Sequence, residues 1–164
     1  MNAKRLKKVL IAIDYDATGQ KVAESGFSFA ESLGAEIILL NVVSYSLFAP
    51  TPEYSPKLAY ESHIDIDHSK SDVSKFQKKS AQMFLEKSKV HLGDESIKTV
   101  VKSGDFADAI LETAKEMDVD IIIMGSHSRK WLDNIVMGSV TEKVLHHAKI
   151  PLVIVPTGLK MSPI

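Results

Sequence analysis

Val119-Asp120-Ile121-Ile122-Ile123-Met124-Gly125-Ser126-His127-Ser128-Arg129 leads to Gly138-Ser139-Val140-Thr141-Glu142, with nine residues between Ser128 and Gly138. The apolar run from Val119 to Met124, broken by one carboxylate, has the composition of a strand buried on both faces. A glycine ends it. Beyond a connection over Gly125 to Met137, the spacing predicts a helix over Ser139–His147, so the segment joins the end of a strand to the start of a helix.

The same alternation extends in both directions. Val9 to Ile13 and Glu36 to Val43 are apolar runs that read as parallel core strands. Between them Val22, Gly26, Phe29, Ala30 and Leu33 recur at helical spacing, and Gly34 sits where a left-handed cap would end that helix. Ile97 to Val101 reads as a third strand, and Asp105 as the cap of a helix carrying Phe106, Ala109, Ile110 and Met117. Leu152 to Val155, held between Pro151 and Pro156, makes a fifth strand.

A further helix is expected from a cap at Asp72 to Gly93, with an apolar stripe of Val73, Phe76, Ser80, Met83, Phe84 and Lys87. Residues 44–71 break the pattern with Pro50, Pro52 and Pro56 and read as a long, mobile loop. Strands alternating with helices predict an α/β fold: one doubly wound domain over residues 1–164, its five-stranded parallel sheet covered by helices on both faces. Ligands in such folds sit beyond the carboxyl ends of strands at a topological switch, where Asp14 and Gly125 would lie.

Two readings of the Gly125 to Glu142 segment are open. Glycines at both ends let the backbone approach a ligand, and free amides with the helix dipole at Ser139 and Val140 favour a phosphate, with Arg129 adding charge. Alternatively Ser139 and Glu142 form a capping box and Gly125 only turns the chain.

These residues resemble the universal stress protein family, whose mark is a glycine, two residues, a glycine, nine residues, then glycine with serine or threonine. Gly125, Gly138 and Ser139 match, whereas Ser128 stands at the middle glycine. The likeness extends to Asp14, to Gly104-Asp105, to Asp120 through Gly125, and to Val144-Leu145 with Pro151 to Pro156.

The resemblance implies an adenine nucleotide alpha hydrolase-like fold and a stress-response or regulatory module that binds ATP, AMP or ADP, with magnesium as a companion ion. It places the nucleoside at Ala12, Ile13, Asp14 and Val42. It places the phosphate side at Met124, Gly125, His127, Ser128, Arg129, Gly138, Ser139, Val140 and Thr141. Magnesium would suit Asp14 or Asp16 as an outer partner. The family further implies a homodimer paired through Leu152 to Val155 and an unidentified protein partner. The alternative within the family is a member that binds no nucleotide and acts through protein contacts.

A phosphorelay receiver would also place acidic residues like Asp14-Tyr15-Asp16 after its first strand. It would need an aspartate ending the third strand and a lysine ending the fifth, where this chain has Val101-Lys102-Ser103 and Val155-Pro156-Thr157. No G-x-x-x-x-G-K-[ST] or G-x-G-x-x-G stretch occurs. His63, Asp65, Asp67 and His68 alternate in a proline-rich segment and read as solvated rather than metal-binding, while His146 and His147 belong to a helix end. No general base with an orienting partner can be identified, so a binding module is expected, not an enzyme. At most, slow hydrolysis would accompany binding.

Twenty basic residues against twenty-one acidic ones leave no global field to draw nucleic acid or an anionic membrane. The absence of cysteine removes disulfides and thiolate chemistry. Met1 to Lys8 is basic but opens no signal pattern or span of bilayer length, which reads as cytoplasmic.

Overall fold

The computed structural model describes residues 5–44, 66–126 and 137–157, with backbone alone at 66–71. The described chain runs β1 (Lys8–Ala12), α1 (Ala17–Ser32), β2 (Glu36–Val43), α2 (Ile66–Leu92), β3 (Lys98–Ser103), α3 (Phe106–Glu116), β4 (Ile121–Gly125), α4 (Ser139–His147) and β5 (Leu152–Val155). All four strand pairings are parallel, in the order β3-β2-β1-β4-β5. The doubly wound sheet is therefore as the alternation predicts.

Strand alternation divides the core into two layers. Val9, Ile11, Leu39 and Ile123 face α1 and α2, where Val22, Ala30 and Leu85 complete the layer. Leu10, Leu40, Ile122 and Met124 face α3 and α4, against Ile110, Ala114 and Val144. Each fully buried aliphatic side chain contributes about 1.5–3 kcal/mol, and the one buried polar side chain in β2, Asn41, has a hydrogen-bond partner.

Local signals fix the ends. Gly34 adopts φ 60° after the C-cap Leu33. Its amide donates to the Glu31 carbonyl, and that of Ala35 to the Ala30 carbonyl, the paired bonds of a Schellman cap. Asp105 caps α3 by accepting from the Asp108 amide at 3.0 Å. Asp120, part of the family-like stretch, works at the opposite end of the sheet from the strand exits. Its Oδ2 accepts from the Lys7 and Lys8 amides at 2.9 and 3.1 Å, tying the start of β4 to that of β1.

Two expectations are corrected. Helix α2 begins at Ile66, inside the segment expected to be a loop to residue 71, so Asp72 is an ordinary exposed helical residue rather than a cap. Nothing after Pro56 forbids helix, and a helix nucleated on its packed portion propagates until a proline or a strong cap stops it. Residues 45–65, with His63 and Asp65, lie outside the described residues. The packed face of α2 also differs from the stripe of Val73, Phe76 and Met83, which are exposed. Ala81 and Leu85 are buried instead, with Phe84 and Leu92 against the core.

Candidate functional site

The strand order reverses between β1 and β4: β2 and β3 lie to one side, β5 to the other. Beyond the carboxyl ends of these two strands is a cavity of about 110 Å³. The exit of β1 supplies Ala12, Ile13 and Asp14, β2 supplies Leu40 and Val42, and β4 supplies Met124 and Gly125. The start of α4 closes it with Gly138, Val140 and Thr141. These include most of the sequence-predicted set. Ser139 is exposed and does not line the cavity, and His127, Ser128 and Arg129 lie outside the described residues.

The connection between β4 and α4 is closed at its base. The Gly138 amide donates to the Ser126 carbonyl at 2.7 Å, and the Thr141 hydroxyl to the Gly125 carbonyl at 2.8 Å. Ser126 is itself anchored, its amide donating to the Val155 carbonyl and its Oγ accepting from the Thr157 amide. These bonds hold Gly125 and Gly138 together at the cavity without help from a ligand.

The two readings of this segment can now be separated. Gly138, not Ser139, is the N-cap of α4 and, being glycine, supplies no side-chain cap. Ser139 is the first helical residue and the Glu142 amide donates to the Gly138 carbonyl, so the expected capping box does not form. The other two helix starts around the cleft are closed. At α1, the Asp16 Oδ1 accepts from the Thr18 and Gly19 amides and from the Thr18 hydroxyl. At α3, Asp105 is the cap. At α4 the cap residue, a glycine, carries no such acceptor of its own.

The charges nearby are committed elsewhere. Hydrogen bonding from the Asp108 amide, then from Lys143, holds the Asp105 carboxyl below its usual value. Lys143 lies 3.0 Å from both Asp105 and Asp108, and its hydrogen bonds to Asp108 and then Asp105 hold its ammonium above the ordinary value. This clasp fastens α4 to α3. Asp14 is the carboxylate that lines the cavity, and among the described residues no three acidic, histidine or cysteine side chains form a metal cluster.

Sequence reasoning missed Thr18, Gly19, Val22, Leu40, Phe106 and Ile110, which also line the cavity. Val22, Leu40 and Ile110 carry the same apolar signature as core residues, and no local signal distinguishes them. An adjoining cavity of about 520 Å³ opens between β2 and α2, sharing Asp14, Val42 and Phe106 as its rim. There the buried Asn41 donates through Nδ2 to the Ile13 carbonyl at 2.8 Å, fixing the exit of β1.

With this geometry in view, the comparisons with known proteins are specific. The model of the universal stress protein family matches residues 5–156, and the chain belongs to that family. Universal stress protein MJ0577 of Methanocaldococcus jannaschii is 27% identical over 91% of this chain and 94% of its own. The solved structure of MJ0577 superposes with a TM-score of 0.73 at 25% identity, over 93% of this chain and 97% of that one. A universal stress protein solved in complex with cAMP has a TM-score of 0.59 at 17% identity, over 94% of this chain and 100% of that one. One from Archaeoglobus fulgidus in complex with dAMP has a TM-score of 0.50 at 18% identity, over 92% and 98%. At these last two identities the likeness is one of fold.

Proposed function

We propose that this chain is an adenine-nucleotide-binding module that holds ATP at the switch between β1 and β4. The supporting observation is the start of α4, whose N-cap Gly138 supplies no side-chain acceptor and which borders the cavity where most of the predicted residues meet. First-turn amides and the helix dipole there suit a phosphate chain. The apolar walls of Leu40, Val42, Ile110 and Met124 suit the flat face of a base, with Asp14 near the ribose. Family members of the same fold solved with cAMP and dAMP support an adenine nucleotide as the class of ligand.

Magnesium would supply charge neutralisation between the phosphates, with Asp14 as its partner through water. The module binds rather than catalyses. Thr18 and Thr141, the hydroxyls that line the cavity among the described residues, donate to Asp16 and to the Gly125 carbonyl, which leaves neither poised as a nucleophile. We further propose that it works in the cytoplasm as a homodimer through β5. No helix among the described residues is long and apolar enough to cross a membrane.

Mass spectrometry of small molecules released from the purified protein tests the ligand class. ATP, ADP or AMP at a stoichiometric level is expected. Release of a different metabolite, with no adenine nucleotide taken up on incubation, would overturn the reading.

A further inference from the structure

Helix α2 carries two apolar rows. Ala81 and Leu85 are buried on the sheet, whereas Phe76, Met83 and Val90, spaced by seven, are 71%, 52% and 68% exposed. We propose that this outer row is a docking seam for an acidic amphipathic helix of a partner protein.

The spacing argues for a helix as occupant. Residues seven apart stay on one strip when two helices wrap round each other at the shallow left-handed angle of a coiled coil. From Phe76 to Val90 the strip is about 21 Å long, enough for four turns of a partner. It is also narrow: the exposed Lys79 and Glu86 stand directly beside it, and only Val73 widens it, at its first turn. A helix that lies in a bilayer interface needs a much broader apolar face, so a lipid surface suits this row poorly.

Charge selects the partner. Lys75, Lys79 and Lys87 are exposed along the seam and make no ion pair among the described residues. Of the acids beside the row, Asp72 stands at its first turn, and Glu86 accepts from Gln82 and Thr99 at 2.8 Å and is turned toward β3, which leaves three lysines against one outward acid. The seam is therefore positive, and its complement carries Asp or Glu beside its apolar row. A second copy of the chain fits badly. Antiparallel pairing centred on Met83 sets Lys79 against Lys87, and parallel pairing sets each lysine beside itself. Phe76 lines the cavity adjoining the strand exits, whereas Met83 and Val90 line neither cavity, so a test read at Met83 and the lysines stands independently of nucleotide binding.

The test uses a synthetic helical peptide with leucine at coiled-coil spacing and glutamate at the flanking positions, titrated by fluorescence anisotropy. Saturable binding is expected, weakened by salt. Met83→Asp, and separately the pair Lys79→Glu with Lys87→Glu, should each lower affinity about tenfold or more with an unchanged melting curve. A peptide with the same leucines flanked by lysine should not bind. The proposal is overturned if the acidic peptide fails to bind or binds the variants equally well. It is overturned equally if phosphatidylserine vesicles take up the native chain but not Met83→Asp, or if Met83→Asp abolishes self-association of the chain.

Discussion

Gly19 shows how narrowly the cleft is set. A methyl added there would fall within the van der Waals radius of the Asp14 carbonyl oxygen, a backbone atom that cannot rotate away. In an unconstrained helix, replacing glycine by alanine stabilises by about 0.5–1 kcal/mol. Here the contact reverses that sign, because the exit of β1 must move to make room. Gly19→Ala is expected to lower the melting temperature and to weaken nucleotide binding about tenfold or more, through displacement of Asp14. A raised melting temperature with full affinity would contradict the packing.

The other informative residue is Ser128. Where the family motif has its middle glycine, a serine in left-handed geometry would cost about 1–2 kcal/mol. Its hydroxyl can return about 1 kcal/mol by donating to a phosphate oxygen. Ser128→Gly is therefore expected to change the ATP dissociation constant by no more than about thirtyfold in either direction. Parallel titrations of the two proteins check it, and binding detected only in the glycine variant would place the native chain in the non-binding class. At this scale the sequence indicated which residues meet at the cavity where a motif marks them, as at Asp14, Gly125 and Gly138. Val22 and Ile110 face the cavity as well, but an aliphatic side chain at a cleft wall is chemically the same as one in the core.

Among the elements, the clasp between α3 and α4 has a defined response to pH. The Asp105 carboxyl is held below the ordinary value of 3.8, so its contribution is present above that value and lost as pH falls through the lowered one. Lys143 is held above 10.5, so its contribution is present below that value and lost as pH rises through the raised one. The clasp is intact across the neutral range. Asp105→Asn keeps a capping oxygen but removes the titrating charge. It should give a shallower acid limb than the native protein in urea melts, with equal acid limbs as the contradicting result.

Helix α2 marks where elements resist reading. Its sequence offers two apolar rows, Phe76 with Met83 and Ala81 with Leu85, and periodicity alone scores both. The rotation that packs was decided by the sheet surface beneath, which favours the small Ala81 and the branched Leu85. Strands with both faces buried, such as β1 and β2, presented no such choice. Their boundaries came within one residue because the apolar run and the ladder coincide.

For the molecule as a whole, β5 is an edge of the sheet. It pairs with β4 on one side, and Leu152, Val153 and Ile154 are half-buried on the described surface. An apolar edge strand of this kind favours pairing with a second copy. Light scattering is expected to report a dimer for the native chain and a shift toward monomer for Val153→Lys. A native monomer at micromolar concentration would remove the proposed assembly.

The start of α4, with the glycine Gly138 as its N-cap, is proposed to receive the phosphates of a bound nucleotide. Gly138, its N-cap, has φ −70° and ψ 155°, a conformation open to any residue, so a branched side chain there need not unfold the helix. The most direct measurement is calorimetric titration of the native protein and Gly138→Val with ATP and magnesium, alongside circular dichroism of both. Saturable binding by the native chain and its loss in Gly138→Val at unchanged helix content are expected. Equal affinity in the two proteins, or no binding by the native chain, would contradict it.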